Sequence, residues 1–148
     1  YYKNNRADID KQVAAGKTVV FSELPVGEYV IGGDSVSVVS TIMGEYFFVS
    51  PNLSHPMMKG FEPLDFKFWY DKNEECVMPF LGSMIFAGKN WDAVITTGQS
   101  TWQVLGNAAN AVAEMKKGKG KYRICQIDLN GRINANPVAR QFANRLFN

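Results

Sequence analysis

The stretch Asn136-Pro137-Val138-Ala139-Arg140-Gln141-Phe142-Ala143-Asn144-Arg145-Leu146-Phe147 decides the architecture of this chain. Asn is a good residue for a helix N-cap, and Pro suits the first helical position, where its missing N–H costs nothing. Val138, Phe142 and Leu146 recur every four residues, with Ala139, Ala143 and Phe147 beside them and Arg140, Asn144 and Arg145 outside. That spacing draws one apolar stripe along a helix. A helix with a single apolar stripe must bury it against another layer, and the residues before it offer a sheet.

Working outward, Tyr122 to Leu129 reads as a strand and Lys116-Lys117-Gly118-Lys119-Gly120-Lys121 as a hairpin tip before it. The arm on the other side, Asn107 to Lys116, is alanine-rich, which favours helix. Ala111-Val112-Ala113-Glu114-Met115 also alternates, and beside the Gly-rich tip a β-hairpin is the preferred reading. Further strands are expected at Ser83–Ala87 and Ala93–Thr97, separated by a turn at Gly88-Lys89-Asn90. Phe66 to Tyr70 reads as a short aromatic strand with Phe66, Phe68 and Tyr70 on one side. Upstream lie Tyr46–Val49, Val36–Ile42 and Tyr29–Ile31, with a turn at Gly32-Gly33-Asp34. Thr18-Val19-Val20-Phe21 is an apolar run suited to a strand buried on both faces. Ala7 to Ala15 is expected to be helical, with Ile9 and Val13 on one face and Gly16 as the stop. Helices at both ends with strands between them predict a single domain over residues 1–148 with a mixed α/β layer fold that ends in a hairpin and a helix.

Bulk properties exclude several functions. The 148 residues suffice for one substantial core. Hydrophobic residues make up 46% and the net charge is +2, so there is no strong field to draw nucleic acid. No apolar run approaches the length of a membrane span. The opening Tyr1-Tyr2-Lys3-Asn4-Asn5 has neither an initiator Met nor an apolar leader.

The search for chemistry finds no catalytic set. The single histidine, His55, sits in Ser54-His55-Pro56, where a local turn or cap role is preferred over a general base. One His and two distant cysteines give no metal-ligand spacing, so no metal and no cofactor are expected. Cys76 follows Glu74-Glu75, whose charges disfavour a thiolate, and Cys125 lies in an apolar strand. Both are expected as free buried thiols. Neither stands at a nucleophile elbow, and Ser100 has no recognisable partner. Gly118-Lys119-Gly120-Lys121 lacks the phosphate-loop pattern and its following helix. Among the carboxylates, Asp8, Asp10, Asp65, Asp71, Glu74 and Glu75 offer no distinguished pair. Trp69, Tyr70, Trp91 and Trp102, with His55, are the candidate carbohydrate or interface contacts. For the aromatics, burial in the core or against another domain is the preferred reading.

Several segments together resemble a known family. Ser54-His55-Pro56, Gly60-Phe61, Pro63-Leu64-Asp65-Phe66 and Phe68-Trp69 resemble a run in the C-terminal regions of bacterial family 2 glycoside hydrolases, the β-galactosidase-like group. Gly118-Lys119-Gly120-Lys121-Tyr122 with Ile124-Cys125-Gln126-Ile127-Asp128-Leu129 resembles a later strand of theirs, and Asn136-Pro137-Val138-Ala139 the start of their final helix. The similarity spans about residues 10–147. It implies an α/β fold like class I glutamine amidotransferases, a mixed, mostly parallel sheet with flanking helices and a C-terminal β-hairpin plus helix, expected to be shortened here at its N-terminus by the loss of an opening strand and helix. It also implies a periplasmic or secreted parent enzyme whose catalytic carboxylates lie on a separate barrel. No catalytic residue carries over. The expected role is a non-catalytic accessory or assembly domain. Its expected partners are other domains of the parent enzyme, a second copy of the chain, or carbohydrate. A carbohydrate-binding module and a small amidotransferase-like hydrolase are the alternatives.

Overall fold

The structure, a computed structural model, describes residues 1–40, 49–97 and 109–148. Helix α1 (Tyr2–Ala14) opens the chain, five residues earlier than the periodicity suggests and with a break from helical geometry at Asn5. Strands β1 (Thr18–Ser22), β2 (Gly27–Ile31), β3 (Asp34–Ser40) and β4 (Val49–Pro51) follow. Two 3-10 turns, Pro56–Met58 and Pro63–Phe66, lead to the small hairpin β5 (Tyr70–Asp71) and β6 (Cys76–Val77). Then come β7 (Met84–Ala87), β8 (Asp92–Thr97), β9 (Asn110–Lys117), β10 (Gly120–Cys125) and the terminal helix α2 (Pro137–Phe147).

The main sheet runs β1-β10-β9-β7-β3-β2, with β8 also on β9 and β4 on β8. It is mixed, but the expectation of a mostly parallel sheet is corrected. Among the described residues only β1 and β10 pair in parallel; the other ladders are antiparallel. Chain connectivity explains this. The turns at Gly32-Gly33 and Gly118-Lys119 are too short for a crossover, so β2–β3 and β9–β10 must be hairpins. The alternation in Ala111–Met115 therefore outweighs the helical preference of its alanines.

Two cores lie back to back on β9 and β10. On one face α2 buries Ala139, Phe142, Ala143 and Leu146 against Val112, Cys125 and Ile127, with Met57, Met58, Phe61, Phe66 and Trp69 from the preceding loops. On the other face Val13 of α1, Ile31, Val36, Val38, Phe86 and Trp91 pack with Ala113, Met115, Tyr122 and Ile124. The curl of the sheet carries the β2–β3 hairpin over this second face. Phe147 falls off the stripe and is 55% exposed at the last helical residue.

Other departures have local causes. Phe66–Tyr70 is not one strand. Pro63 opens a 3-10 turn in which Asp65 accepts from the Glu62 N–H at 2.8 Å, closing a capping box. Phe66 and Trp69 are buried together, while Phe68 turns outward with φ 54. The strand expected to reach Leu129 stops at Cys125, and beyond it the side-chain amide of Gln126 bonds both backbone groups of Leu24 (2.8 and 3.0 Å). β1 is half-buried rather than sealed on both faces, because it ends the sheet. Of the strand expected at Tyr46–Val49 only Val49 is described, as the start of β4; Tyr46–Phe48 and the ends of two other segments, Thr41-Ile42 and Asn107-Ala108, lie outside the described residues.

Candidate functional site

Four polar clusters fix the two layers, and each ties together segments that are distant in sequence. The first surrounds Glu114 on β9. Its carboxylate meets Arg123 Nε at 3.1 Å, Lys121 Nζ at 3.4 Å and His55 Nε2 at 3.4 Å. Glu114 and Arg123 face each other in the β9–β10 register. Burial opposes ionisation of Glu114, but the Arg123 hydrogen bond and the Lys121 and Arg123 charges outweigh it and hold its pKa below the usual value. The other side of the Arg123 guanidinium donates to the Arg145 and Leu146 carbonyls (2.8 and 2.6 Å), the unsatisfied oxygens at the end of α2.

His55 belongs to this cluster through a long-range contact that its local sequence does not announce. Its Nδ1 accepts from the Met57 N–H at 3.2 Å, capping the 3-10 turn as the loop reading expects. Its Nε2 faces the Glu114 carboxylate at 3.4 Å. Both nitrogens are committed, so neither can serve a nucleophile. Cys125 follows Arg123 by two on the same strand face, and burial pushes its thiol up to about 12. A Cys-His-Glu relay is therefore not assembled from Cys125, His55 and Glu114.

The second cluster ties loops together. Buried Arg132 donates to Asp71 Oδ2 at 2.9 Å and to the Phe80 carbonyl at 3.1 Å, and approaches Asp128 at 3.5 Å. Asp71 also accepts the Asn73 and Glu74 N–H groups. The Arg132 hydrogen bond, against the opposing effect of burial, holds the Asp71 carboxyl below its usual pKa. The third cluster pins α1: Tyr2 and Tyr122 both donate to Asp10, and the Tyr2 oxygen accepts from the Gly32 N–H at 3.0 Å. The fourth fixes α2. Asn136 makes no side-chain cap; instead its amide brackets the backbone N–H and C=O of Tyr70 at 2.9 and 2.8 Å. Arg145 donates to the Met57 and Lys59 carbonyls and lies 4.6 Å over the Phe61 ring.

The candidate carbohydrate contacts are not brought together. Trp69 and Trp91 are 3% and 8% exposed, in opposite cores, and Tyr70 is 39% exposed on the β5–β6 hairpin. Trp102 and Ser100 lie outside the described residues. Cys76 is exposed, correcting its expected burial, and both described cysteines are free. Asp65 is held in its capping box and Asp8 accepts from Gln12. Among the described residues no group of three or more His, Cys, Asp or Glu could hold a metal, and no helix is long and apolar enough to cross a membrane.

Sequence reasoning missed one feature entirely. A cleft of about 990 Å³ opens between α1, β1 and β2, lined by Tyr2, Ile9, Phe21, Tyr29 and Val30 among others. Its walls come from segments that are separately unremarkable in sequence.

No family model matches the chain, and no curated protein sequence matches it. Among solved structures, it is similar to a cytoplasmic protein from Salmonella typhimurium, with a TM-score of 0.54 at 12% identity over 95% of this chain and 58% of that one. A β-galactosidase from Bacillus circulans sp. alkalophilus is a more distant neighbour, with a TM-score of 0.48 at 10% identity over 93% of this chain and 19% of that chain. The chain thus spans just over half of the first protein and about a fifth of the second.

Proposed function

We propose that this chain is a non-catalytic accessory and assembly domain of a larger carbohydrate-active enzyme of the β-galactosidase-like group. One observation carries the reading: the motif residues that resemble that group are committed to packing. His55 caps its own turn and meets Glu114. Phe66 and Trp69 pack on Phe142, at 5.5 and 6.4 Å between ring centres. Asn136 holds Tyr70, and Gly118 and Gly120 seat the hairpin tip against α1. Motifs of this kind preserve a shape for neighbours to rest on and leave no reacting group free. The resemblance supplies the enzyme class; fold alone does not.

The amidotransferase-like alternative lacks a free imidazole nitrogen at His55, and the sugar-module alternative has two of its tryptophans buried. The test uses the parent polypeptide. Deleting residues 1–148 is expected to leave turnover of aryl glycosides per active site within about twofold while changing assembly size or thermal inactivation. Loss of turnover with the barrel still folded would refute the reading, as would saturable hydrolysis of an aryl glycoside or glutamine by the isolated chain.

A further inference from the structure

We infer that Asn130-Gly131 is a self-modifying site: the Gly131 backbone nitrogen displaces ammonia from the Asn130 side chain, and the isoaspartate that results loosens the β5–β6 hairpin. This is the one Asn-Gly pair in the sequence. Glycine has no Cβ to shield its nitrogen, and its backbone freedom lets that nitrogen reach the preceding side chain. The fold leaves both reacting groups disengaged. Asn130 is exposed, at the start of the turn that follows Leu129. Its backbone N–H donates to Asp128 Oδ1 at 3.0 Å, and the Gly131 carbonyl accepts from the Lys72 N–H at 2.9 Å. Among the described residues, the Asn130 side-chain amide and the Gly131 N–H have no hydrogen-bond partner. Asn136, by contrast, commits its amide to Tyr70 and precedes a proline, which has no N–H to react.

The chemistry needs only the chain and water. Hydroxide takes the Gly131 N–H proton, and the nitrogen attacks Asn130 Cγ. The Cγ–Nδ2 bond breaks, and ammonia leaves with a proton from water, which regenerates hydroxide and closes a succinimide ring. Water then opens the ring at either carbonyl, giving aspartate or isoaspartate at position 130. The fold treats the two products differently. Aspartate adds a charge beside Asp128 and leaves the backbone as it was. Isoaspartate routes the main chain through its β-carbon and so lengthens the link to Gly131. Gly131 has no room to move toward the hairpin. Its φ is 72, and a Cβ on it would lie 2.6 Å from Asn73 Nδ2 and 2.7 Å from Asp71 Oδ1. Displacing it breaks the Lys72 bond and disturbs the adjoining Arg132–Asp71 pair at 2.9 Å. Those contacts hold the hairpin to the turn.

This inference stands whether or not the parent is a glycoside hydrolase. The experiment incubates the purified chain at mildly alkaline pH, native and in guanidinium chloride, and follows each asparagine by peptide mapping with mass spectrometry. Conversion adds one negative charge to a chain of net charge +2, so converted molecules separate by ion exchange. The native chain is expected to convert at Asn130 before its other asparagines, within about tenfold of the unfolded rate. The isoaspartate fraction should then show a lower denaturation midpoint than the unconverted fraction. Asn130→Gln, which would have to close a larger ring, should lose conversion and keep the native midpoint. Asn130→Asp, measured before incubation, carries the charge without the longer backbone and should also keep that midpoint. A native chain that stays unconverted at Asn130, or converts first at another asparagine, overturns the proposal. So does an isoaspartate fraction as stable as the unconverted chain, or an Asn130→Asp chain as unstable as the isoaspartate fraction.

Discussion

Arg123 shows how one side chain can join three elements. It faces Glu114 across β9–β10, and it supplies donors to the last carbonyls of α2. Removing it leaves a buried carboxylate short of its main partner, which typically costs about 3–5 kcal/mol. Arg123→Ala is therefore expected to lower the urea-denaturation midpoint sharply, and Glu114→Gln less so, since Gln keeps an acceptor for Arg123. Equal losses would mean that the helix carbonyls, not Glu114, dominate its role. The acid side of the stability profile follows from the same chemistry. Glu114 and Asp71 both have folded pKa values held below their unfolded values of about 4. The unfolded chain binds protons first as pH falls, so stability is fully present above about pH 5 and is lost below about 4. Replacing Asp71 with Asn should flatten that loss, as read from denaturation midpoints between pH 3 and 6. The thiols give a third outcome: Cys76 reacts promptly with a chromogenic disulfide in the native state, whereas Cys125 is buried, its pKa pushed up to about 12, and reacts only on unfolding. At this scale the sequence was legible where roles are local. The His55 turn followed from Ser-His-Pro. Its contact with Glu114 did not, because nothing in the spacing of residues 55 and 114 marks a pair that only the tertiary fold brings together.

Elements were legible in proportion to their periodicity. The stripe of α2 is strict, and the helix occupies Pro137–Phe147 with Phe142 at its centre. Phe142 touches Phe66 and Trp69, so Phe142→Ala is expected to cost about 3–5 kcal/mol in chemical denaturation; an unchanged midpoint would mean the stripe is not docked. The β9–β10 hairpin was legible from its Gly-rich tip, but the reason for that composition was not. A Cβ on Gly120 would lie 2.2 Å from the Val13 and Lys17 carbonyl oxygens, and one on Gly118 2.8 Å from the Ala14 backbone. The tip passes under the end of α1, where Lys119 donates to the Ala14 carbonyl. Gly120→Ala should therefore destabilise by at least about 1–3 kcal/mol, the usual cost of forced overpacking, although the residue is at a hairpin end. The aromatic segment at Phe66–Trp69 misled the reading because alternation of Phe and aromatic residues imitates a strand. The Pro63 turn and the Asp65 cap, both local, won over it. Among the described residues parallel pairing holds only for β1 with β10, and the mostly parallel expectation failed elsewhere because a run such as Ser83–Ala87 looks alike whether its neighbours run with it or against it.

At the scale of the molecule, the two cores share their central strands, and this sets how the chain must unfold. Ala111 and Val112 of β9 belong to one core, and Ala113 and Met115 to the other; Cys125 and the pair Tyr122 and Ile124 divide β10 in the same way. Neither face can lose its packing while β9–β10 persists unchanged, because exposure of one face removes the burial that orders the strands serving the other. The buried bridges reinforce this: Arg123 couples the hairpin to α2, and Tyr122 couples it through Asp10 to α1. A single cooperative transition is expected, of the kind small domains usually show. The tryptophans provide independent reporters, Trp69 in the α2 face and Trp91 in the α1 face. Variants that keep only Trp69 (Trp91→Phe with Trp102→Phe) or only Trp91 (Trp69→Phe with Trp102→Phe) should each give fluorescence and far-ultraviolet circular dichroism transitions that coincide within one variant, after allowing for any stability change. Separate midpoints would show that the faces melt independently, and the chain would then be two weakly joined layers.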